Sequence, residues 1–388
     1  MKKIRVGVIY GGRSGEHEVS VASAASIIKH LDRTRYEPVP IRIEKDGRWT
    51  LADKAPTVLS AADVIEHARL EAARPLRPGR EAHLVAHPGE DTVLAIERRA
   101  TPSNLDPTGT ATVTGVGLDV VFPVLHGPYG EDGTVQGLLE LANVAYVGAG
   151  VLGSAVGMDK AVMKTLFIAN QLPVGPYLVV IRPEWTDNRD AVAARVGREL
   201  GYPVFVKPAN LGSSVGISKA KSASDLAVAM EVALQFDRKV VIEAGVPNAR
   251  EIECAVLGND QPEASVPGEI IPSREFYDYE AKYLDGASKD VIPADLTEEQ
   301  VRDVQRLAIA AFRAVECAGM ARVDFFIDRD NGRIYLNEVN TIPGFTTISM
   351  YPKMWEASGL PYGALVDRLI ALALERHAEK QQLRTSVT

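Results

Sequence analysis

The sequence predicts an α/β protein that begins with a mostly parallel sheet and continues into a two-part α+β region. The first observation is a strand over 5–10, a glycine turn and a helix with apolar residues at helical spacing, which together make half of a βαβ unit. The second is a strand, a glycine-serine loop and another strand over 202–219. The third is a β-hairpin over 321–340, where apolar residues alternate with polar ones.

Length and composition are those of a soluble globular enzyme. A chain of 388 residues is too long for one compact core, and its 46% apolar and 24% charged residues are ordinary for this class. The net charge of −8 argues against a nucleic-acid binder, which would need a basic surface. The expected domains are 1–148 with an insert around 45–115, 149–245 with the glycine-serine flap, and 246–388 with a metal site and a closing loop.

The cysteines and the apolar segments bear on the compartment. Cys254 and Cys317 lie inside apolar patterns, so buried free thiols are expected rather than a disulfide or a zinc site. No apolar run approaches the length of a membrane span, and no signal segment precedes the first strand. We therefore expect a protein of the reducing cytoplasm that binds neither membrane nor nucleic acid.

The first glycine turn is followed by the segment Gly15-Glu16-His17-Glu18. The turn lacks GxGxxG, which weakens a dinucleotide-binding assignment. The local sequence favours a charged, solvated first turn of the helix, where glutamates interact well with the helix dipole. The alternative is that Glu16 is a functional carboxylate, because ligands of open α/β sheets bind at the carboxyl ends of strands.

The segment from 45 to 115 is rich in Ala, Pro and Arg, and predicts only short strands and a helix near 61–72. A clear strand returns at 118–125 and ends in His126, for which a turn role and a ligand role are equally supported. The glycine-rich stretch 148–158 predicts a connector between domains.

The glycine-serine loop over 209–216 follows the strand that carries Lys207. It differs from a P-loop because no helix follows it and no Gly-Lys-Ser/Thr is present. Backbone N–H groups of such a loop can still fold over phosphates, and Lys207 would add a positive charge. The alternative, a plain hairpin with a flexible tip, leaves the neighbouring lysine unexplained.

The hairpin over 321–340 predicts a metal site. If Asp330-Asn331-Gly332 forms its loop, Arg329 pairs with Arg333 and Asp324 lies opposite Glu338. Two carboxylates at cross-strand distance repel each other, and a divalent cation removes the repulsion. The polar side chains expected on this face are Arg322, Asp324, Glu338 and Asn340. The alternative is a solvated polar face on an edge hairpin.

Several stretches together resemble the D-alanine–D-alanine ligase family. They are GGRSGEHEVS, HGPYGEDGTVQG, MDK, VKPANLGSSVG, FYDYEAKY, ARVDFF and LNEVNTIPG, in the order of that family. The resemblance implies an ATP-grasp fold with an N-terminal Rossmann-like domain. It also implies a cytoplasmic homodimer that uses ATP and Mg²⁺ or Mn²⁺, with two ions per site, to join two D-alanines into D-alanyl-D-alanine for peptidoglycan, through a D-alanyl phosphate.

The resemblance also implies roles for individual residues. Glu16 would bind the first ammonium with His126 nearby, and Ser213 would link Glu16 to Tyr283. Arg322 and the Gly344 amide would stabilise the tetrahedral intermediate. The residues expected to contact the second carboxylate are Ser349 and Met350. Those expected to contact ATP are Lys160, Lys207, Ser214 and Lys282 for the phosphates, and Glu243, Ala244, Val246 and Glu251 for adenosine. The metal ligands would be Asp324, Glu338 and Asn340.

Two other functions compete with ligation. One is a regulatory or structural protein that has the ATP-grasp fold and binds nucleotide without turnover. The other, suggested only by the first βα unit, is a dehydrogenase. The sequence departs from the family at Ala244, where members often carry Lys, which weakens the transfer of the adenine contacts.

Overall fold

The computed structural model describes residues 2–52, 54–56, 80–89, 92–98, 111–212, 215–272 and 288–384. Within these ranges the strands form three sheets of eight, four and six strands, which follow one another along the chain. Helices pack between and beside the sheets, so the predicted α/β class is confirmed.

The first sheet combines a parallel half with an antiparallel extension. Its strands are β1 (Ile4–Gly11), β2 (Tyr36–Ile43), β3 (Trp49–Leu51), β4 (Arg80–Leu84), β5 (Val93–Arg98), β6 (Ala111–Val116), β7 (Val120–Val124) and β8 (Ala145–Tyr146). The order is β6-β5-β4-β3-β2-β1-β7-β8. Strands β2, β1, β7 and β8 are parallel, and β3 to β6 continue the sheet as antiparallel neighbours. The predicted parallel opening and the short strands of the insert are confirmed, whereas the helix expected near 61–72 lies outside the described residues.

Three helices accompany this sheet: α1 (His17–His30), α2 (Thr134–Leu141) and α3 (Val151–Met158). The prediction of a connector over 148–158 was wrong, because most of that stretch is α3. Its glycines serve close packing rather than flexibility. A Cβ at Gly153 would lie 2.4 Å from the Glu316 carbonyl oxygen, and one at Gly157 would lie 2.8 Å from Cγ2 of Thr341.

The second sheet is small and fully antiparallel. Its strands are β9 (Tyr177–Ile181), β10 (Val204–Pro208), β11 (Ser218–Ala220) and β12 (Lys239–Ala244), in the order β11-β10-β12-β9. Its helices are α4 (Lys160–Ala169), α5 (Arg182–Asp187), α6 (Arg189–Glu199) and α7 (Ala223–Ala233). The predicted strand–loop–strand unit is the β10–β11 pair. A core of its own, with Trp185, Val206 and Met230, holds this unit together.

The third sheet carries the predicted hairpin. Its strands are β13 (Ala249–Gly258), β14 (Glu263–Ala264), β15 (Gly268–Ile271), β16 (Lys289–Val291), β17 (Gly319–Asp328) and β18 (Ile334–Asn340). The order is β16-β15-β13-β17-β18, with β14 beside β13. The remaining helices are α8 (Glu298–Ala314), α9 (Met350–Ala357) and α10 (Tyr362–Gln381). Thr297 and Gln300 form a capping box at the start of α8, as the sequence predicts.

The hairpin register is partly as predicted. Asp324 lies opposite Glu338, and Arg322 lies opposite Asn340, which confirms the shared polar face. The pairing of Arg329 with Arg333 was wrong, because the Asp328 N–H donates to the Arg333 carbonyl and the loop is one residue longer. A bulge after Asp324 absorbs this extra residue at Asn337, so the register near the polar face is unchanged.

The first and third sheets share one hydrophobic core. It joins Phe122 of β7, Leu257 of β13, Phe345 and the helices α9 and α10, which contribute Tyr351 and Leu369. The opposite face of β13 packs with α8 in a separate core. This arrangement fixes the edge of the first sheet against the third and so positions the residues described below.

Two further sequence expectations concern cysteines and membrane spans. Cys254 and Cys317 are buried free thiols, as predicted, and burial raises the pKa of each to about 12. Of the helices described, none is by itself long and apolar enough to cross a membrane; only α9 and α10 taken together, with a bend of 104° between them, reach that length and apolar content.

Candidate active site

A polar cleft with about 870 Å³ of empty space lies where the three sheets meet. Glu16 and His126 line it from the first sheet, and Gly212 lines it from the loop after β10. The third sheet contributes most of the lining, including Arg322 and Glu338. The structure thus brings together residues that the sequence analysis assigned to one site from widely separated segments.

Glu16 stands at the start of α1, directly after the glycine turn. Only 8% of Glu16 is exposed, and His17 and Glu18 are buried as well. The interpretation of this segment as a solvated helical turn was therefore wrong. A Cβ at Gly127 or at Gly212 would lie 3.2 Å from Oε2 of Glu16, so both backbones approach the carboxyl closely. The glycine-serine loop therefore lies against Glu16 at the residue before Ser213.

His126 is also buried at the end of the strand β7. Its Nδ1 lies 3.1 Å from the Ile342 carbonyl oxygen, which can only accept, so Nδ1 carries the proton. Burial lowers the pKa of His126, and the nearby Glu16 carboxyl only partly opposes this. The neutral ring then has Nε2 as an acceptor, and this buried atom has no hydrogen-bond partner among the described residues. An ammonium group is the kind of donor that it could receive.

Glu131 is a cleft residue that the sequence analysis missed. Its Oε2 accepts the Gly127 N–H at 2.6 Å and its Oε1 accepts the Ile342 N–H at 3.3 Å, so it joins the turn after β7 to the loop after β18. Burial raises the pKa of Glu131 to about 8, and repulsion from Glu16 adds to this effect. The signal that could have found it is its place in the same turn as His126.

A buried ion-pair cluster lies beside the cleft on the second sheet. Lys207 Nζ is 2.7 Å from Oε2 of Glu243, and Lys164 Nζ is 3.1 Å from Oε1 of the same carboxylate. Asn337, the residue in the hairpin bulge, accepts from both: its side-chain oxygen from Lys207 at 3.3 Å and its carbonyl from Lys164 at 3.2 Å. The bulge therefore has a function in joining the second and third sheets.

The cluster sets the charge of its members. Burial disfavours an ionised Glu243, but the two lysines outweigh it and lower the pKa of Glu243 to about 2. Burial also works against a charged Lys207, yet Glu243 raises its pKa above the ordinary value. Burial lowers the pKa of Lys164. Glu243 opposes this effect less than it does for Lys207, because Lys164 lies further from the shared carboxylate and is repelled by Lys207. Lys164 follows Lys160 by one helical turn, a spacing that could have indicated its position.

Three further nucleotide contacts predicted from the sequence can be placed. Lys160 is buried, donates to the Leu211 carbonyl at 2.6 Å and lies 4.0 Å from Oε2 of Glu338. The Ala244 N–H donates to the Pro176 carbonyl, so a contact from Ala244 to a base would have to use its own carbonyl. Glu251 projects from the same face of β13 as Glu253, two residues further on.

The polar face of the hairpin is a network around Arg322. Arg322 donates to Asp324 twice, from Nε and Nη2, both at 2.7 Å, and its Nε lies 3.2 Å from Oε2 of Glu253. Asn340 Nδ2 also donates to Asp324, at 3.0 Å. Burial opposes the charge of Arg322, but Asp324 and Glu253 hold its pKa above the ordinary value, so it stays protonated. Glu253 was also missed, although it shares the face of Glu251.

The predicted metal ligands fit part of a magnesium site. Asp324 and Glu338 lie directly opposite each other, and Asn340 can offer its Oδ1 beside them. These hard oxygen donors suit Mg²⁺, which usually takes the rest of its six ligands from phosphates and water. No group of three or more His, Cys, Asp or Glu side chains that could hold a metal occurs in the part of the chain that the structure describes.

The loop after β18 ends at the start of α9. Ser349 precedes the helix, and its Oγ accepts from the Thr346 N–H at 3.0 Å. A Cβ at Gly344 would lie 2.8 Å from that Oγ, so the loop backbone packs closely against the Ser349 side chain. Ser349 and Met350 line the cleft at a helix N-terminus, where a carboxylate is favoured.

Not every predicted residue can be compared with the structure. Ser213, Ser214, Lys282 and Tyr283 lie outside the described residues. Val246 is partly buried just beyond the end of β12, where the chain passes from the second sheet to the third. The roles assigned to these five residues stay predictions.

The chain was compared with known families and proteins. The family description "D-ala D-ala ligase N-terminus" matches residues 5–149, and "D-ala D-ala ligase C-terminus" matches residues 166–371. The D-alanine–D-alanine ligase of Heliobacterium modesticaldum is 50% identical over 385 residues, which cover 99% of this chain and 98% of that protein. D-alanine–D-alanine ligase A of Bradyrhizobium diazoefficiens is 50% identical over 386 residues and 98% of both chains.

Solved structures agree with this similarity. The D-alanine–D-alanine ligase of Coxiella burnetii has a TM-score of 0.80 and 38% identity, and the match covers 98% of this chain and 97% of that one. The VanG D-Ala:D-Ser ligase of Enterococcus faecalis has a TM-score of 0.79 and 32% identity over 96% of this chain and 100% of that one. The fold is therefore that of these ligases.

Proposed function

Because the chain belongs to the D-alanine–D-alanine ligase family, we propose that it joins two D-alanines into D-alanyl-D-alanine and converts one ATP to ADP and phosphate. Such a dipeptide would serve peptidoglycan synthesis. The observation that carries the proposal is the meeting of three kinds of group in one region: the buried Glu16 and His126, the lysines of the second sheet, and the Arg322 network.

The first D-alanine would bind at the wall formed by Glu16 and His126. Its ammonium group would pair with the Glu16 carboxylate and donate to Nε2 of His126, the buried acceptor that has no partner in the described structure. A buried polar atom without a partner costs about 1–3 kcal/mol, so filling this position favours binding. Ser213 and Tyr283 would complete this wall from loops.

ATP would lie between the second and third sheets. Lys160 and Lys207 would contact the phosphates together with Ser214 and Lys282, and Glu243 would keep Lys207 charged and aimed. Adenosine would be held by Glu243 and Glu251 and by the backbones of Ala244 and Val246. Asp324, Glu338 and Asn340 would hold one or two Mg²⁺ or Mn²⁺ ions, which neutralise phosphate charge when bound.

The reaction would proceed in two steps. A carboxylate oxygen of the first D-alanine attacks the γ-phosphorus, the bond to the β-phosphate oxygen breaks, and D-alanyl phosphate and ADP form. The amine of the second D-alanine then attacks the acyl carbon, loses a proton, and phosphate leaves. Arg322 and the Gly344 N–H would face the oxyanion of the tetrahedral intermediate. The α9 N-terminus at Ser349 and Met350 would hold the second carboxylate.

Association and location are further parts of the proposal. The apolar side chains Leu141, Val151 and Leu152 on α2 and α3 are exposed, and a second copy of the chain would cover them in a homodimer. Leu152→Glu should then convert a dimer into a monomer in sedimentation experiments. The buried free thiols Cys254 and Cys317 fit a reducing cytoplasm.

The test is phosphate release from ATP with and without D-alanine. We expect release to depend on D-alanine, and the dipeptide to form in equal amount. A nucleotide-binding regulator would show neither activity. D-serine and D-lactate are offered separately as second substrates, because one of the similar structures is a D-Ala:D-Ser ligase. Preferential product formation with D-serine would replace the proposed second substrate while keeping the ligase chemistry.

Substitutions then test the site. Glu338→Gln should abolish most turnover at limiting Mg²⁺ and leave folding intact, because it removes one of two facing carboxylates. Arg322→Lys should lower kcat by about 10²–10³, because Lys lacks the planar fork of donors. Normal turnover of Glu338→Gln would remove the metal assignment, and an effect of Arg322→Lys on KM for ATP alone would contradict the role of Arg322.

A further inference from the structure

Glu253 is a residue of the cleft for which neither the sequence resemblance nor the proposed reaction provides a role. It lies on β13, and only 8% of it is exposed. Its register partner on β17 is Asp324, whose own partner on β18 is Glu338. Three carboxylates therefore form a row across neighbouring strands, with Glu253 on the side away from Glu338 and Asn340.

Arg322 is the cation that this row surrounds. Both oxygens of Asp324 are engaged: Oδ1 accepts from Nε of Arg322, and Oδ2 accepts from its Nη2 and from Asn340. Asp324 thus does two things in the proposed site, because it pairs with Arg322 here and would bind a cation when nucleotide is present. A carboxylate that shares its lone pairs with Mg²⁺ holds a guanidinium less strongly.

A bound Mg²⁺ would also repel the Arg322 guanidinium, because both are positively charged. Mg²⁺ would bring two positive charges to the side of Asp324 that faces Glu338. The Nζ of Lys160, another positive charge, already lies 4.0 Å from Oε2 of Glu338. A buried guanidinium that lost its partner at that moment would be strongly disfavoured. Glu253, with Oε2 at 3.2 Å from Nε of Arg322, is the negative charge that remains on the opposite side.

We propose that Glu253 is a positioning residue that holds the Arg322 guanidinium in place when Asp324 turns to the metal ion. Arg322 is thereby kept charged and aimed into the cleft during the step in which it faces the oxyanion. Glu253 touches no reacting atom in this account and acts only through Arg322. The inference rests on the proposed role of Arg322 at the oxyanion. It adds Glu253 as the residue that positions the Arg322 guanidinium for that role.

The same sheet offers a matched control. Glu269 on β15 is a buried carboxylate that pairs with Arg250 of β13 through two bonds, at 2.5 and 2.8 Å. It is the register partner of Ile252, so it lies on the face opposite to Glu253. Glu269→Gln therefore removes a buried ion pair from the same strands without touching the cleft.

The kinetic experiment uses Glu253→Gln and Glu269→Gln in the full chain. We expect Glu253→Gln to lower kcat by about 10–100-fold, the range typical of residues that orient a functional group. KM for ATP should stay near the wild-type value, and Glu269→Gln should leave kcat unchanged. In an Arg322→Met background Glu253→Gln should have no further effect, because its action passes through Arg322. An equal loss in that background, or an unchanged kcat, would overturn the proposal.

A second measurement needs no turnover. In EDTA and without nucleotide, Glu253→Gln should lower the unfolding free energy less than Glu269→Gln. Arg322 still has Asp324 as a partner, whereas Arg250 loses the carboxylate that accepts from its Nε and its Nη2. An equal or larger loss would make Glu253 a structural ion pair only. If the wild type itself shows no D-alanine-dependent phosphate release, the proposed function fails. If it does and the kcat pattern fails, only the role of Glu253 is rejected.

Discussion

Glu131 and Glu243 are glutamates that burial removes from water, yet their pKa values move in opposite directions. For Glu131, on the wall of the first sheet, burial and then repulsion from the Glu16 carboxyl raise the pKa to about 8. Around Glu243, on the second sheet, Lys164 and Lys207 reverse the effect of burial, and the pKa falls to about 2. Burial alone therefore does not decide the charge of a carboxyl, and the neighbouring side chains do.

The difference matches the proposed ligands of the two regions. The wall of Glu16 and Glu131 holds an excess of acidic groups and would receive an ammonium, which removes the repulsion between them. The lysine cluster has two cations for one carboxylate and would receive phosphates. Each region thus has an excess of one charge, and its proposed ligand carries the opposite charge.

The largest effect is expected from Glu243→Gln. This substitution leaves two buried lysines without their carboxylate, and breaking a buried ion pair costs about 3–5 kcal/mol of unfolding free energy. Because the folded pKa lies below the unfolded value of 4.5, the contribution is present above pH 4.5 and disappears as the pH falls toward 2. Denaturant unfolding at pH 7 and pH 3 measures this. Glu199→Gln, an exposed carboxylate of the same region, is the control and should change little. An equal loss at both pH values would contradict the ionic origin.

The next effect concerns Glu131→Gln and has the opposite sign with pH. The folded pKa of Glu131 lies above the unfolded value of 4.5, so its favourable contribution is complete below pH 4.5 and is lost as the pH rises through about 8. A glutamine does not ionise, so the variant should gain about 1–2 kcal/mol on the wild type between pH 4.5 and pH 8. Unfolding free energies across this range test the prediction. A constant difference between the two proteins would show that Glu131 is ionised throughout.

A smaller effect is expected from Lys164→Met. Lys164 is the more distant of the two lysines and its pKa is lowered, so Glu243 keeps Lys207 when it is removed. A well-packed apolar side chain of similar length should leave the unfolding free energy within about 1 kcal/mol of the wild type. Lys207→Met is the matched comparison and should cost clearly more. If both variants lose the same stability, the two lysines share Glu243 equally.

The smallest effect is expected for a pair in solvent. Asp303 and Arg306 lie three residues apart on the exposed face of α8, 2.9 Å from each other. Exposed pairs on helices contribute about 0.3–0.5 kcal/mol, so Asp303→Asn should be close to neutral at every pH above 4. Thermal unfolding at low and high salt measures this. If Asp303→Asn lowered the unfolding free energy by more than about 1 kcal/mol, an exposed ion pair would contribute as much as a buried one, against the comparison of Glu131 and Glu243.

Much of the site could be predicted because its elements are local. The alternation over 321–340 is a property of neighbouring residues, and it placed Asp324 opposite Glu338 even though the loop length was wrong. That pairing was predicted correctly because the bulge at Asn337 compensates for the longer loop. The alternation of apolar residues and the turn residues do not show where a bulge forms. The bulged residue, Asn337, accepts from Lys164 and Lys207, which belong to other segments of the chain.

The residues that were missed are those whose role depends on distant partners. Glu131 bonds to Ile342 across the cleft, and Glu253 meets Arg322 only because β13 lies beside β17. The stretch 148–158 was misinterpreted for the same reason. Its glycines read as flexible, whereas the structure shows a helix that needs them to approach Glu316 and Thr341.

The sequence by itself determined most element types, the polar face of the hairpin and the family resemblance, because periodicity, turn residues and motifs are encoded by residues close in the chain. Only the tertiary structure decided which buried groups are charged. The pKa of a side chain depends on the water removed around it and on the charges within a few ångströms. For Glu131 and Glu243 those charges come from other elements of the fold, and for Arg322 the Glu253 carboxylate of the neighbouring strand adds to Asp324 of its own strand.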